Sequence, residues 1–543
     1  MRTRFLTGLA GLCLLLSAAA PARAADDKPT APTFFVRTKS IENLVADAKY
    51  LAEVADKADD FKMWEGVYKS MLKGNSLEGV DITKPIGAYG FLGANIIDST
   101  VVVLLPVADE KALLDFLATK DIKPEKDKDG VYSVMVPNVP ETVYFRFANK
   151  YAYVTLKDKE NIAPKALLEP GKVLPNNPTS VLSMTVDIDK IPAELKKVMI
   201  GQSANQIAGL KDKKQEGETD AQHRLRIAMA DEAADFVKTL VNDGGELTLS
   251  WDVDRAKGDL SMSLSLTGKP DTKLSKHFAD LGAAKSVGAG LIGKDSALNG
   301  LVHLSLPERV RKAMEPAIDE GFKKALENEK DKDKRDAAEK FFRAIAPSLK
   351  SGEYDLGVDL RGPSAKGQYT LVGALKIQDG AAIDKTFKDI VKTLPEQDKK
   401  GLQLDAARAG GVSIHKIDGG QLPPNFKEVF GDGPVFFALR DDALMVALGD
   451  GALEALKDAL AGKPGPSQPL RLEASVDRVW KVLPKDQQKL VEEASKKAFA
   501  QKPGADKVTV VLEGGRSLKL SFKAKAGVVA FFAYLAEHQN QSE

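Results

Sequence analysis

The segments Thr142–Asp158 (TVYFRFANKYAYVTLKD) and Pro434–Asp450 (PVFFALRDDALMVALGD) align without a gap. They share Val143 and Val435, Phe145 and Phe437, Val154 and Val446, Leu156 and Leu448, and Asp158 and Asp450. The other core-type positions stay apolar. Each segment reads as two short strands around a polar turn, Ala148-Asn149-Lys150 in one and Arg440-Asp441-Asp442 in the other. Because the surroundings repeat too, the match predicts a tandem duplication rather than one large enzyme core.

Strict alternation marks further strands. In Val181–Lys190, Leu182, Met184, Val186 and Ile188 point one way, and Ser183, Thr185, Asp187 and Asp189 the other. Leu247, Leu249, Trp251 and Val253 share one face of the next strand, and Leu260, Met262, Leu264 and Leu266 one face of its partner. A loop over 254–259 joins them as a hairpin. Val508, Val510 and Leu512, then Leu518, Leu520 and Phe522, repeat the pattern near the C-terminus. Strands with one polar face argue for antiparallel sheets.

A quarter-unit recurs, made of a strand, a long helix, a two-stranded hairpin and a shorter helix. Its four copies begin at Phe34, Val181, Leu298 and Leu470. In the first, Ser40 is the expected N-cap of a helix carrying Ile41, Leu44, Val45, Ala48 and Leu51 at helical spacing. Within the halves, Val131–Val136 and Gly411–Ile417 read as additional strands. The predicted class is α+β: a tandem duplication with antiparallel β-sheets and helices packed on one face. The predicted halves are residues 25–293 and 294–543, divided by a flexible glycine-rich linker within 282–294.

Residues 1–24 read as a secretory signal peptide. Arg2 and Arg4 precede the apolar run Phe5–Leu16, and Ala22-Arg23-Ala24 is a small-x-small cleavage site. The only cysteine, Cys13, lies inside it, and Leu12 stands where a lipoprotein signal needs a small residue. The mature chain is therefore expected to be cysteine-free, and to need a hydrophobic core in place of disulfides. Loss of Arg2, Arg4 and Arg23 takes the charge from 78 − 77 to 75 − 77, or −2. With its charges interspersed, such a chain offers no basic field for nucleic acid. The longest later apolar run, Val528–Ala536, is about half a membrane span and reads as a buried terminal helix.

Motifs for chemistry are few. Gly288-Ala289-Gly290-Leu291-Ile292-Gly293 spells G-x-G-x-x-G, but it follows a predicted helix and precedes a strand, the reverse of a dinucleotide site. As a P-loop it fails at Asp295, which stands where a hydroxyl would meet magnesium. The run Glu125–Gly130 resembles the front of a calcium loop without the leading Asp or the closing Glu. His223, His277, His303, His415 and His538 show no metal-ligand spacing, and no G-x-S-x-G elbow flags a nucleophile. Tyr144, Tyr151 and Tyr153 are expected in sheet packing rather than as a stacking platform. The charged runs Lys211–Thr219 and Glu327–Asp336 read as solvated or mobile helix-hairpin tips. No catalytic, cofactor-binding or metal-binding residue is assigned, and no cofactor is expected.

The strand Ala443–Asp450 (ALMVALGD) leading into the helix Gly451–Lys463 (GALEALKDALAGK) resembles exported bacterial proteins grouped only as a domain of unknown function. The resemblance implies a duplicated, envelope-associated, non-enzymatic protein and transfers no functional position. The expectation is an exported, periplasmic or extracellular, non-catalytic binding or scaffolding protein, with an envelope protein or an apolar ligand as partner. Its first alternative is a carrier of a lipid or other apolar ligand. A hydrolase with a site formed between halves is a third class.

Overall fold

The computed structural model describes residues 31–540 apart from 74–76, 96–97, 137–138, 175–179, 212, 294–295, 484 and 501–503. The signal peptide assigned to residues 1–24, Cys13 included, lies outside the described residues. The class is α+β, with extensive antiparallel sheet. Two compact units are distinguished. One holds the described residues up to Gly201, Leu240–Lys269 and the stretch from Lys523, and the other holds Gln202–Thr239 and Pro270–Phe522.

In the first unit the strands are β1 (Phe34–Ser40), β2 (Pro85–Phe91), β3 (Thr100–Pro106), β4 (Glu125–Lys126), β5 (Tyr132–Val134), β6 (Val143–Ala148), β7 (Tyr151–Leu156), β8 (Ser180–Asp187), β9 (Gly244–Asp254) and β10 (Asp259–Gly268). Hydrogen bonding sets the order β10-β9-β8-β1-β2-β3-β7-β6-β5-β4, antiparallel throughout. In the second unit the two-residue strand β11 (Lys285–Ser286) precedes β12 (Ser296–Ser305), β13 (Glu353–Arg361), β14 (Thr370–Lys376), β15 (Leu402–Ala409), β16 (Val412–Ile417), β17 (Val435–Arg440) and β18 (Ala443–Gly449). The short β19 (Gly465–Pro466), β20 (Leu470–Ser475) and β21 (Lys507–Glu513) follow, and β19 pairs with β11. The main order is β21-β20-β12-β13-β14-β18-β17-β16-β15, again antiparallel. The final strand, β22 (Ser517–Lys525), gives its first six residues to the second unit and its last three to the first. The strands of the two units thus share one order, with β1 and β12 in equivalent central places.

The aligned hairpins adopt the same register. Phe145 faces Val154 across β6–β7, and Phe437 faces Val446 across β17–β18. Their turns differ. Asn149 and Lys150 both take positive φ, 53° and 63°, the geometry of a tight two-residue hairpin loop. The second hairpin closes through Asp441 and Asp442, where the Arg440 guanidinium bonds the Asp442 carboxylate at 2.5 Å. Asp158 caps a 3-10 turn by accepting from the Glu160 N–H (2.9 Å). Asp450 does not play the matching role, because the chain enters the next helix through Gly451 at φ 74°, with no side-chain cap.

The order of a strand, helix, two strands and a shorter helix recurs four times among the described residues, and after β1, β8 and β12 the long helix is broken into a helical pair. Helices α1 (Ile41–Val54) and α2 (Ala58–Lys73) follow β1, and α3 (Glu110–Thr119) follows β3. Helices α4 (Ala193–Ala208) and α5 (Asp220–Asp243) follow β8, and α6 (Lys273–Gly282) follows β10. Helices α7 (Glu308–Asn328) and α8 (Lys332–Lys350) follow β12, and α9 (Gly380–Thr393) follows β14. After β18 comes α10 (Ala452–Ala461), after β20 comes α11 (Lys485–Phe499), and α12 (Ala526–Asn540) ends the described chain. Ser40 caps α1 by accepting from the Asn43 N–H at 3.2 Å, and Asp331 caps α8 within the second charged run.

Cores form where alternating strand residues meet a cover. In the first unit Tyr89, Val102, Leu104, Tyr151 and Tyr153 pack with Ile162, Val173 and Leu174, and Tyr144 borders them. The tyrosines are therefore packing residues, and burial pushes the Tyr89 and Tyr151 hydroxyls up to about 12. In the second unit Ala438, Met445 and Ala447 pack with Ala452, Ala455, Leu456 and Ala459 of α10. Phe387 of α9 meets Phe437 edge-on from the opposite face. Here the sheet is covered on both faces, beyond the single covered face that alternation suggests. In α12, Val528 and Phe531 are buried while Phe532 is exposed. Replacing fully buried Leu456 by alanine is expected to cost about 2–5 kcal/mol of unfolding free energy, read from the urea midpoint at unchanged slope. A change under about 0.5 kcal/mol would mean that α10 does not pack there.

Candidate functional site

The largest departure from the sequence expectation lies in β8, β9 and β10. Their alternation predicts an apolar face in the core and a Ser/Thr face in solvent. Instead Met184, Leu249, Trp251, Met262 and Leu264 are 39–51% exposed. The small polar face satisfies itself. Thr248 bonds Thr185 (3.2 Å), Ser250 bonds Ser263 (2.8 Å) and Ser180 bonds Asp252 (2.5 Å). Arg37 reaches the Thr185 hydroxyl at 3.1 Å and the Val173 carbonyl at 2.6 Å.

Strand register places the exposed apolar groups side by side. Leu264 lies opposite Leu249, which lies opposite Met184. Met262 lies opposite Trp251 one row along. Val253 and Leu266, on the flanking rows, are 4% and 6% exposed, so the open area is a strip bounded on both sides. The second unit also exposes apolar side chains at Val302, Leu356 and Leu375, which sit opposite one another on β12, β13 and β14. Leu304 and Leu472 are exposed as well.

The glycine-rich stretch is not a flexible linker, because buried carboxylates hold it. Asp355 accepts from the Ser286 hydroxyl (2.6 Å) and the Val287 N–H (2.7 Å). Asp359 accepts from the Gly293 N–H (2.9 Å), the Ser296 hydroxyl and the Arg361 guanidinium (2.8 Å). A Cβ on Gly288 would lie 2.6 Å from the Gly357 Cα. Close backbone approach therefore explains a glycine there, and Val287 and Leu291 are buried beside it. Lys294 and Asp295 lie outside the described residues. Sequence reasoning missed this clamp because Asp355, Gly357 and Asp359 alternate along β13 like a solvent face.

His415 is fully buried on β16, and both its ring nitrogens are engaged. The Asp405 N–H donates to Nδ1 (3.2 Å), so the ring hydrogen belongs on Nε2, which faces Asp384 Oδ1 at 2.7 Å. Asp405 takes φ 50° at an irregularity in the β15–β16 register, which brings its amide to the ring. Ser413 shares the strand, but its hydroxyl meets the Lys388 ammonium (3.3 Å) rather than the imidazole. Burial lowers the Lys388 pKa, yet hydrogen bonds to Asp405 and Asp384 outweigh it and the net shift is upward. The group resembles a Ser-His-Asp set in composition and lacks its connectivity: no free imidazole lone pair faces a hydroxyl.

The other histidines sit apart in role. His223 lies beside Arg226 and Glu218, His277 is exposed on α6, and His538 stacks on Tyr534. His303 Nδ1 stands 4.0 Å from Asp355. Among the described residues no cluster of three His, Cys, Asp or Glu side chains is placed to hold a metal. In the calcium-like run, Asp127 accepts from the Asp129 and Val131 N–H groups (2.9 Å each) and pairs with Lys159 (2.8 Å). In the first charged run, Arg226 ties the tip between α4 and α5 to the Leu210 and Lys213 carbonyls. Its hydrogen bonds to Glu218 pull that carboxyl down to about 2. Among the described residues no helix is long and apolar enough to cross a membrane.

No family model matches the chain, and no curated protein or solved structure shows significant similarity to it.

Two consequences are measurable. Asp355→Ala strands two buried donors, at about 1–3 kcal/mol each, so the variant should unfold at clearly lower urea. An unchanged midpoint would show that the strap is held otherwise. In the first unit, burial raises the Asp259 carboxyl, but hydrogen bonds from Lys523 (2.7 Å) and Lys525 (2.8 Å) outweigh it and the net shift is downward. A carboxyl depressed by folding contributes stability above its unfolded value, and the contribution is lost as pH falls through the folded value. Asp259→Asn should therefore flatten the stability loss seen on acidification below about pH 4. A wild-type-like acid limb in the variant would contradict this.

Proposed function

We propose that this chain is an exported, non-catalytic binding protein whose ligand is apolar, a carrier rather than an enzyme. The observation that carries the reading is the half-exposed row of Leu, Met and Trp side chains on the β8–β10 arm. Contiguous apolar surface left open on a folded chain marks a place where something apolar binds. The methionines favour a flexible ligand, since an unbranched thioether adapts to irregular apolar shapes. The second unit's exposed Val302, Leu356 and Leu375 support the same reading.

Export rests on the basic, apolar and small-x-small segments of residues 1–24. The resemblance of the Ala443–Lys463 strand and helix to envelope-associated bacterial proteins agrees with it. The shared strand order and hairpin register support origin by tandem duplication.

Native mass spectrometry on protein purified from its own envelope under non-denaturing conditions tests the reading. An added mass that organic solvent extracts, and that reappears when lipid is restored, is the expected result. Protein that stays at its bare mass before and after exposure to a total lipid extract would overturn it.

A further inference from the structure

The two aligned hairpins rest on different packing. Tyr132 on β5 stands opposite Phe145, and His415 on β16 stands opposite the matching Phe437. The helices α3 and α9 start from matching caps, where Asp109 accepts from the Ala112 N–H and Asp379 from the Ala382 N–H. Counted from those caps, Leu114 and Ala118 correspond to Asp384 and Lys388. In the first unit the place is apolar, with Leu114 and Tyr132 packed against Ile122, Val134 and Phe145. In the second it holds His415, Asp384 and Lys388, and the imidazole is fully buried. Apolar side chains alone satisfy this place in the fold, and taking charged groups out of water costs free energy. Packing therefore does not account for the charged set.

What the set holds is β15, the outermost strand of its order, which pairs with β16 on one side. Its register breaks between Gln403 and Ala407, and within the break Asp405 takes φ 50°. Two bonds tie that residue down. Its N–H donates to His415 Nδ1 (3.2 Å), and its carboxylate accepts from the Lys388 ammonium (2.7 Å). Asp384 joins the two holders, accepting from Lys388 at 2.9 Å and from His415 Nε2 at 2.7 Å.

We infer that His415 is a proton-sensing latch for the edge strand β15. The inference is independent of the apolar-ligand reading above. The bond from the Asp405 N–H needs an unprotonated Nδ1. A proton added there sets donor against donor, so that bond breaks while Nε2–H stays on Asp384. Asp384 is placed to hold the imidazolium that forms. The charged groups facing the ring are Asp384 and Lys388 from α9 and Asp405 from β15, while β17 presents the Phe437 ring and α9 also the Phe387 ring. Burial works against the Lys388 ammonium, but its bonds to Asp405 and Asp384 carry the net shift upward. Hydrogen bonds to Lys388 and Ser413 hold the Asp405 carboxyl below its usual range. Both groups thus stay charged between about pH 8 and about pH 5, the span in which imidazole is the side chain that titrates.

Two readouts on the full chain test the latch. NMR of isotope-labelled histidine reads the proton on each ring nitrogen. Amide hydrogen exchange, corrected for its intrinsic pH dependence, reads protection along β15. At about pH 8 the His415 ring should carry its hydrogen on Nε2 alone. Towards about pH 5, Nδ1 should gain a proton, and protection over residues 404–407 should fall about fivefold or more in step with it, while β12, β13 and β14 hold theirs. In His415→Gln the amide can accept from the Asp405 N–H and donate to Asp384 without titrating, so β15 should keep one level of protection across the span.

An imidazole that stays neutral down to the onset of global unfolding would overturn the latch, as would protonation with unchanged protection of β15. The wild-type titration decides both, even should the variant fail to fold. An equal loss of protection in folded His415→Gln would assign the sensing to the carboxylates and overturn it too.

Discussion

A side chain on a β-strand must point to one sheet face or the other, and two residues along it points the same way again. Almost everything in this protein follows from how that period-two constraint is met with different covers. On β2, β3 and β7 one set of positions, Tyr89, Val102, Leu104 and Tyr153, is sealed by the 162–174 segment. On β14, β17 and β18 the same geometry puts Val372, Ala438 and Met445 under α10. On β8, β9 and β10 an equally regular apolar row is left half open. The strands obey one rule, and the difference lies in what is laid over them.

Polar groups follow the complementary constraint that burial demands partners. Asp355 and Asp359 are among the most buried residues of the second unit, and each meets donors from the glycine-rich strap. His415 is satisfied on both nitrogens, and Arg37 ends on a hydroxyl and a carbonyl. These groups hold segments in place, and their connectivity leaves no imidazole lone pair directed at a hydroxyl. The open surface is apolar, and these buried polar groups are tied to backbone or to one another.

Much of the architecture was legible in the alternation. Leu247–Val253 and Leu260–Leu266 do form a hairpin, Ser40 does cap α1, and the hairpins at 143–156 and 435–448 share one register. The clamp was not legible, since Asp-x-Gly-x-Asp on a strand looks the same whether it meets water or a strap of backbone N–H groups. Asp450 shows the same limit: a capping residue type makes a cap only if the backbone enters the helix at that residue, and Gly451 takes that place. The candidate site escaped altogether, because Trp251 and Met262 carry the pattern of ordinary core residues.

By itself, the sequence determined the period of each element, the class of fold, the two aligned hairpins and their register, because these depend on residues close along the chain. Only the tertiary structure decided which apolar faces are covered, which aspartates are buried, and that the 286–293 stretch is a clamped strap. Those outcomes depend on partners distant in sequence, such as Asp355 for Ser286 and β8 for β9. No local pattern encodes whether a given apolar row will meet a helix or be left open.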